Sequence, residues 1–497
     1  MATPIPKNRA SFSLAEIVYT TGGTLTSSGD LGENDRTTEV STDTRSLDPG
    51  ALFVALSGET FDAHRHLDLA VKRGARVILV EQDNVVARGA AVIRVPSTLA
   101  ALGDLARAHA QRWRSLGGVR KTVAITGSAG KTTTRVATQA LLERLHPGQV
   151  HATKGNLNNL VGAPMVLFGL ESTHRYAVVE IGMSIPGEIE KLARMVLPDV
   201  GLVTLVAAAH VEACGSIEGV AHEKGALYRA LSPQAVAIGN ADNDWVRAQM
   251  SASPAQTKVT YGTRTDVDVH IAARAPKGTS LGHLRIERRG ESALEFDTPL
   301  LGEAGAYACA AAVSIAASGM GDTLSSAVAG EAFANAEVGG GAGRLLPINL
   351  GKNVILMDDS YNANPASMRA SIRAASELAA ADGRRLVLVL GEMRELGVVA
   401  EASHEEVGRA ARESAAGVVI AVGKLAEKYT QALAESSIVY THRNTAAEAA
   451  PLACEWVLPG DLVLIKGSRG IGTDVVVRAL TAHLGSGENT RRAEGHA

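Results

Sequence analysis

The sequence predicts an α/β protein of three domains: a small N-terminal α/β domain, a central domain with a parallel sheet plus a small antiparallel subsheet, and a C-terminal Rossmann-like α/β domain. Three observations predict it. Short apolar runs alternate with helical stretches along most of the 497 residues, the pattern of parallel strands covered by crossover helices. Between about 257 and 300 the pattern switches to period two, as in strands with one wet face. Gly339 to Gly343 (GGGAG) makes a flexible linker between two alternating regions. The expected boundaries are 1–113, 114–338 and 339–484, with a disordered tail over 485–497.

Bulk properties exclude several classes. Apolar residues make up 46% and aromatics only 3%, so the cores must be built largely from Ala, Val and Leu. A net charge of −3 gives no basic footprint for nucleic acid or an anionic membrane. No apolar run approaches the roughly 18–20 residues of a membrane span. The start, MATPIPKNRASFSL, lacks the apolar core of a secretory signal. Cys214, Cys309 and Cys454 are scattered, without metal-ligand spacing. A soluble, reducing, cytoplasmic setting is expected.

In the first domain, Val40–Arg45 and then Pro49–Leu56 read as a polar loop feeding a buried strand. Gly58–His66 is a second polar loop, Leu67–Lys72 begins an amphipathic helix, and Val77–Val80 and Ala91–Val95 are further strands. Asp43, Arg45, Asp62 and His64 are candidates for contacting a polar ligand; solvated loop charges are an equal reading of their spacing.

The central domain opens on TVAITGSAGKTTT, Thr122 to Thr134. Val123–Ile125 is a strand-like apolar run, Gly127, Ser128, Ala129 and Gly130 permit a tight turn, and Lys131–Thr134 begin a helix. Such a loop aims backbone N–H groups and a helix dipole at one anion. Lys131 adds a charge for the β- and γ-phosphates, and the Thr132 hydroxyl is placed for Mg²⁺. The usual phosphate-loop pattern begins with a glycine five positions before the second one, where this chain has Ile125. Tyr176–Glu180 ends in a carboxylate, Val200–Val206 leads to His210, and Ala235–Asn240 is a third run. Ligands of open parallel sheets sit beyond the carboxyl ends of the strands, so the loop, Glu180 and His210 share one expected crevice. Val267, Val269, Ile271, Leu284, Ile286, Leu294 and Phe296 carry the period-two pattern, and Ala306–Ser318 is an alanine-rich helix. In the last domain four apolar runs end in polar groups: Asp358-Asp359, Gly391-Glu392, Gly423 and Lys466-Gly467-Ser468-Arg469.

Together these stretches resemble the Mur ligase family. The resemblance covers nearly the whole chain and rests on the order and spacing of several motifs. They are STDTRSLDPGALFVALSGETFDAH, TGSAGKTTT, GNLNNLVGAPMVL (155–167), EIGMSIPGEI (180–189), AH (209–210), HEKGALY (222–228), GR (343–344), DDSYNANPASMRA (358–370), GEMRELG (391–397) and KGSRG (466–470). The family writes its phosphate loop as Thr-Gly-Ser-x-Gly-Lys-Thr, which accommodates Ile125. The resemblance implies an ATP-dependent amide ligase of peptidoglycan precursor synthesis, with ATP and two Mg²⁺; a monomer is expected, although the sequence itself does not give the oligomeric state. Its implied substrates are a UDP-N-acetylmuramoyl-tripeptide and D-alanyl-D-alanine, joined through an acyl phosphate.

Residue by residue, the resemblance implies nucleotide contacts from Gly127, Ser128, Ala129, Gly130, Lys131, Thr132, Thr133, Asn156 and Asn362. Thr132, Glu180, His210 and Lys224, the last if carbamylated, would hold the metals. Arg344 would steady phosphoryl charge, and Asp359 would orient nucleotide or metal-bound water. Asn158, Asn159 and Asn364 would line the substrate side, and Asp43, Thr44 and Arg45 would contact the uridine diphosphate.

One stretch departs from the family. Where a Gly-x-His-Asn-x-x-Asn run usually follows the subsheet, this chain has Gly302-Glu303-Ala304-Gly305-Ala306-Tyr307-Ala308. A lost hydrogen bond costs about 1 kcal/mol, so two unreplaced ones would weaken nucleotide binding roughly 10- to 100-fold. Two further readings stay open: a related ligase acting on another carboxylate and amine, and a silent relative that binds a nucleotide sugar without turnover.

Overall fold

The computed structural model describes residues 4–32, 35–58, 61–278, 280–336 and 345–485, and all structural statements concern these. The Gly339–Gly343 linker, Arg344 and the tail from 486 onward lie outside them.

The chain forms three sheets in sequence. The first is five-stranded, in the order Thr24–Ser27, Ala91–Arg94, Val77–Val80, Leu52–Val54, Val40–Ser41. Its last four strands run parallel, and Thr24–Ser27, exposed throughout, closes the edge antiparallel. A long helix, Thr98–Ser115, leads to the second sheet. Its buried Trp113 donates from the indole nitrogen to the carbonyl of His174, so the helix is anchored on the central domain.

The second sheet has nine strands. Val150–Ala152, Tyr176–Glu180, Lys121–Thr126, Val200–Val203, Val236–Asn240 and Thr257–Gly262 are parallel neighbours in that order. Nearly every residue of the inner strands is buried, which explains their unbroken apolar runs. The period-two stretch forms Val269–Lys277, Leu281–Arg288 and Leu294–Thr298, an antiparallel meander. It is continuous with the parallel sheet, because Tyr261 and Gly262 pair with Val269 and His270. The alanine-rich helix spans Gly302–Ser314 and packs against the phosphate-loop helix Lys131–Leu145. Ala308, Ala310, Ala311 and Ala312 are buried around it, small side chains that leave room for close neighbours on several sides. It widens into a π-helical segment over Ile315–Met320, whose Gly319 carbonyl accepts from Lys121 Nζ.

The third sheet has six strands in the order Leu346–Leu350, Val354–Asp359, Leu462–Lys466, Leu386–Gly391, Val418–Val422, Val439–Arg443, all parallel except the first. Helices Pro365–Ala381 and Ala400–Glu413 cover one face, and Ala446–Trp456 and Asp474–Leu484 the other. Asp359 and Lys466 are paired at the ends of adjacent strands, pointing the same end of this sheet at the central domain's phosphate loop.

Candidate active site

Gly127 sets the geometry of the phosphate loop. Its φ is +148°, and a Cβ there would lie 1.9 Å from Thr204 Oγ1, so only glycine lets the loop close on the neighbouring strand end. Thr204 braces that closure by donating to the Ala129 carbonyl across 2.6 Å. Ser128 is tied to the same segment: its N–H donates to Leu205, and its hydroxyl exchanges 3.0 Å bonds with the backbone of Ala207. Gly130, at φ +82°, starts the helix Lys131–Leu145 without any side-chain cap. Its first amides therefore face the loop, as an anion site requires. Lys131 folds back so that Nζ donates to the Gly127 carbonyl at 2.8 Å.

Glu180, at the end of the next strand, is 2% exposed and held from several directions. Thr132 Oγ1 donates to Oε2 at 2.8 Å, Asn158 Nδ2 donates to Oε1 at 2.8 Å, and Arg135 Nε lies 4.0 Å from Oε2. The Glu180 N–H itself donates to Thr153 Oγ1. Asn159 accepts from the N–H groups of Val161 and Gly162, shaping the turn that carries Asn158.

His210 has a left-handed backbone, φ +59°, and Nδ1 lies 2.6 Å from Glu395 Oε2 of the C-terminal domain. Burial lowers its pKa, the Lys224 charge adds to this, and Glu395 opposes it. Lys224, on the helix Ile217–Arg229, is 1% exposed. Burial, reinforced by the Lys131 charge, brings its pKa down to about 7, so a large share of its amine is uncharged at neutral pH.

From the third domain, Asp359 Oδ2 accepts from both Lys466 Nζ and Ser371 Oγ at 2.6 Å. Lys466 also donates to the Asn362 carbonyl. Asn364 caps the helix Pro365–Ala381 reciprocally with Ser367, and its Nδ2 donates to the Ser128 carbonyl at 3.0 Å.

These groups surround one cleft of about 820 Å³ between the central and C-terminal domains. It is lined by Ser128 through Thr133, Asn156, Asn158, Asn159, Glu180, His210, Lys224, Asp359, Asn362 and Asn364. Gly127 stands behind it, shaping the loop. Asp43, Thr44 and Arg45 are outside it, in the first domain, where Arg45 forms a bidentate pair with Asp43. His64 is engaged by Asp62 and by the Glu81 N–H, so it serves the local fold. Arg344 lies outside the described residues.

Sequence reading missed Thr204 and Ser371 and gave no site role to Lys466 and Glu395. The last two lie inside motifs it singled out, KGSRG and GEMRELG, but nothing local marks their partners. Ala304, Gly305, Tyr307 and Ala308 also form part of the cleft wall. Tyr307 donates to Asp242 Oδ2 at 2.6 Å, which also accepts from the N–H of Thr263, so this wall presents no amide side chain from the Gly302–Ala308 run.

Among the described residues no three His, Cys, Asp or Glu side chains form a ready metal cage. Mg²⁺ needs none: it keeps several waters and binds through one or two carboxylates plus phosphates. Oxygens of Thr132 and Glu180, beside a phosphate loop, fit that requirement.

Three family descriptions match the chain. They are "Mur ligase family, catalytic domain" over residues 36–110, "Mur ligase middle domain" over 125–316, and "Mur ligase, glutamate ligase domain" over 343–469. The UDP-N-acetylmuramoyl-tripeptide–D-alanyl-D-alanine ligase of Escherichia coli is 35% identical, covering 91% of this chain and 96% of its own. That of Bacillus subtilis is 32% identical, covering 89% and 92%. A crystal structure of MurF from Acinetobacter baumannii superposes with a TM-score of 0.83 at 28% identity, covering 97% of this chain and all of the other.

Proposed function

The chain belongs to the Mur ligase family, and from that premise we propose that it joins D-alanyl-D-alanine to a UDP-N-acetylmuramoyl-tripeptide at the expense of ATP. The observation that carries the reading is the single cleft in which the phosphate loop, Glu180, His210 and Lys224 meet Asp359 and Lys466 of the C-terminal domain. The relatives that match along nearly the full chain carry this activity in their names.

The terminal carboxylate of the peptide attacks the γ-phosphorus of ATP, ADP leaves, and an acyl phosphate forms. The amine of D-alanyl-D-alanine then attacks the acyl carbon, an amide forms, and phosphate and a proton depart. Phosphoryl transfer asks mainly for positioning and charge neutralisation. Lys131 and the amides of Gly130–Thr133 supply these at the triphosphate. Thr132 and Glu180 would hold one Mg²⁺, and His210 with a carbamylated Lys224 would hold a second. Mg²⁺ use is typical of the family, and when bound it supplies charge neutralisation at the phosphates. Asp359, fixed by Lys466 and Ser371 in the cleft that Asn362 also lines, would orient nucleotide or metal-bound water. Asp43, Thr44 and Arg45 would receive the uridine diphosphate, and Arg344 would approach the phosphates. Among the described residues no helix is long and apolar enough to cross a membrane; on this reading the enzyme works in the cytoplasm.

The test is direct. Protein incubated with ATP, Mg²⁺, D-alanyl-D-alanine and either the lysine- or the diaminopimelate-containing UDP-tripeptide should release phosphate and yield the pentapeptide by mass spectrometry. Folded protein giving no product with either tripeptide overturns the proposal.

A further inference from the structure

We infer that Glu395 of the C-terminal domain is a positioning residue for His210, fixing the imidazole so that Nε2 is the nitrogen offered to the cation side of the cleft. The inference rests on the reading of His210 as a metal ligand given above.

The ring has two nitrogens, and the bond made by one decides what the other can do. Nδ1 lies 2.6 Å from Glu395 Oε2, so in the neutral ring the proton sits on Nδ1, donated to the carboxylate. Nε2 then keeps its lone pair, which is the arrangement a carboxylate imposes on a metal-binding histidine. A contact whose carboxylate is 61% exposed adds little to stability. Its consequence is orientation and tautomer.

The backbone around the pair is built to hold it. His210 and Glu395 both adopt left-handed conformations, φ +59° and +63°, which non-glycine residues keep only where their surroundings over-determine them. The Glu212 N–H points at the Glu395 carbonyl, and a Cβ on Gly397 would come within 3.1 Å of Glu212 Cα, so the two loops are in close contact. The Glu395 loop is itself pinned, with the Met393 N–H donating to His404 Nε2 and the Arg394 N–H to Ser468 Oγ. Since Glu395 and His210 belong to different domains, the cation site is fully formed only when the C-terminal domain is docked.

Mn²⁺ serves as the probe. Its binding to the full-length protein with a non-hydrolysable ATP analogue is followed by electron paramagnetic resonance for wild type, Glu395→Ala, Glu395→Gln, His210→Ala and the Glu395→Ala/His210→Ala double variant. Glu395→Ala should weaken one Mn²⁺ about 10- to 100-fold, the range for loss of an outer-shell partner. The double variant should bind no more weakly than His210→Ala alone, because both changes act through one ring. Glu395→Gln, which keeps an acceptor of the same size, should fall between wild type and Glu395→Ala, and it carries the test should the alanine variant unfold. Wild-type affinity in Glu395→Ala and Glu395→Gln, or additive losses in the double variant, overturns the inference alone. Unchanged affinity in His210→Ala overturns the ligand reading of His210, and this inference with it.

Discussion

Asn364 Nδ2 donates to the carbonyl of Ser128 across 3.0 Å, joining the cap of a C-terminal-domain helix to the phosphate loop. The same side chain caps its own helix, because Oδ1 accepts from the Ser367 N–H. Two substitutions separate these roles. Asn364→Asp keeps the cap acceptor but has no donor for Ser128, so kcat/KM for ATP should fall about 10-fold, the equivalent of roughly one hydrogen bond. Asn364→Ala loses both, and should in addition cost about 1 kcal/mol of stability. Calorimetry and initial rates against ATP check the pair; wild-type kcat/KM in both variants, or equal unfolding temperatures for the two, would contradict the assignment.

The bond from Thr132 Oγ1 to Glu180 Oε2 supports a second prediction. Thr132→Ser keeps the hydroxyl and should retain near wild-type turnover. Thr132→Ala should raise the Mg²⁺ concentration needed for half-maximal rate by at least about 10- to 100-fold, the range seen even for outer-shell partners. The fold should survive, since Asn158 still holds the other carboxylate oxygen. Magnesium titration of phosphate release is the measurement, with circular dichroism as the control.

Acid stability follows from His151. Its Nε2 is 2.8 Å from the Val166 carbonyl, and burial, reinforced by His174, lowers its pKa to about 4. An unfolded histidine takes up a proton near pH 6.5. Between about pH 6.5 and 4 the unfolded chain therefore holds more protons, and stability falls as the pH drops through that window. Integrated to pH 5, this amounts to at most about 2 kcal/mol, an upper figure because the residue keeps some exposure. Urea unfolding at pH 7 and pH 5 should show the loss in the wild type and a smaller loss in His151→Gln.

Strand-end reasoning placed the phosphate loop, Glu180 and His210 together from sequence because parallel strands deliver their carboxyl ends to one edge. Glu180 and the loop are on adjacent strands, so register alone brings them into contact. The pairs Asn364–Ser128 and Lys466–Asp359 span 236 and 107 residues, and no periodicity reports such contacts. Register could have suggested Lys466–Asp359, since both end parallel strands, but the strand order of the third sheet is a tertiary choice. Period-two alternation revealed the strands over 269–298, yet could not show that Tyr261–Val269 pairing fuses them to the parallel sheet. The edge strands Thr24–Ser27 and Val439–Arg443 escaped because neither has a buried face to impose a pattern. The Gly302–Ala308 departure was legible as a loss; that Tyr307 engages Asp242 beside it was not.

Lys224 permits a final prediction. With a pKa of about 7, about half of its amine is free at neutral pH, whereas a lysine at its usual 10.5 would be almost wholly protonated. A free amine attacks CO₂, forming an N–C bond and releasing a proton, and the resulting carbamate is an anion. Its formation should therefore increase as pH rises from 6 to 8. Protein equilibrated with ¹³C-bicarbonate should show a carbamate carbonyl resonance that is absent from Lys224→Met, and turnover in CO₂-depleted buffer should fall and recover on adding bicarbonate. The metal-free apo protein supplies an independent check on the same burial. The folded pKa lies below the unfolded one, so the unfolded chain holds the extra proton between about pH 7 and 10.5, and burial of Lys224 costs stability most below pH 7. Lys224→Met should consequently stabilise the apo protein by a few kcal/mol at pH 6, with the gain shrinking toward pH 10. A pH-independent effect of Lys224→Met, together with a ¹³C spectrum identical to that of the wild type, would rule out the carbamate.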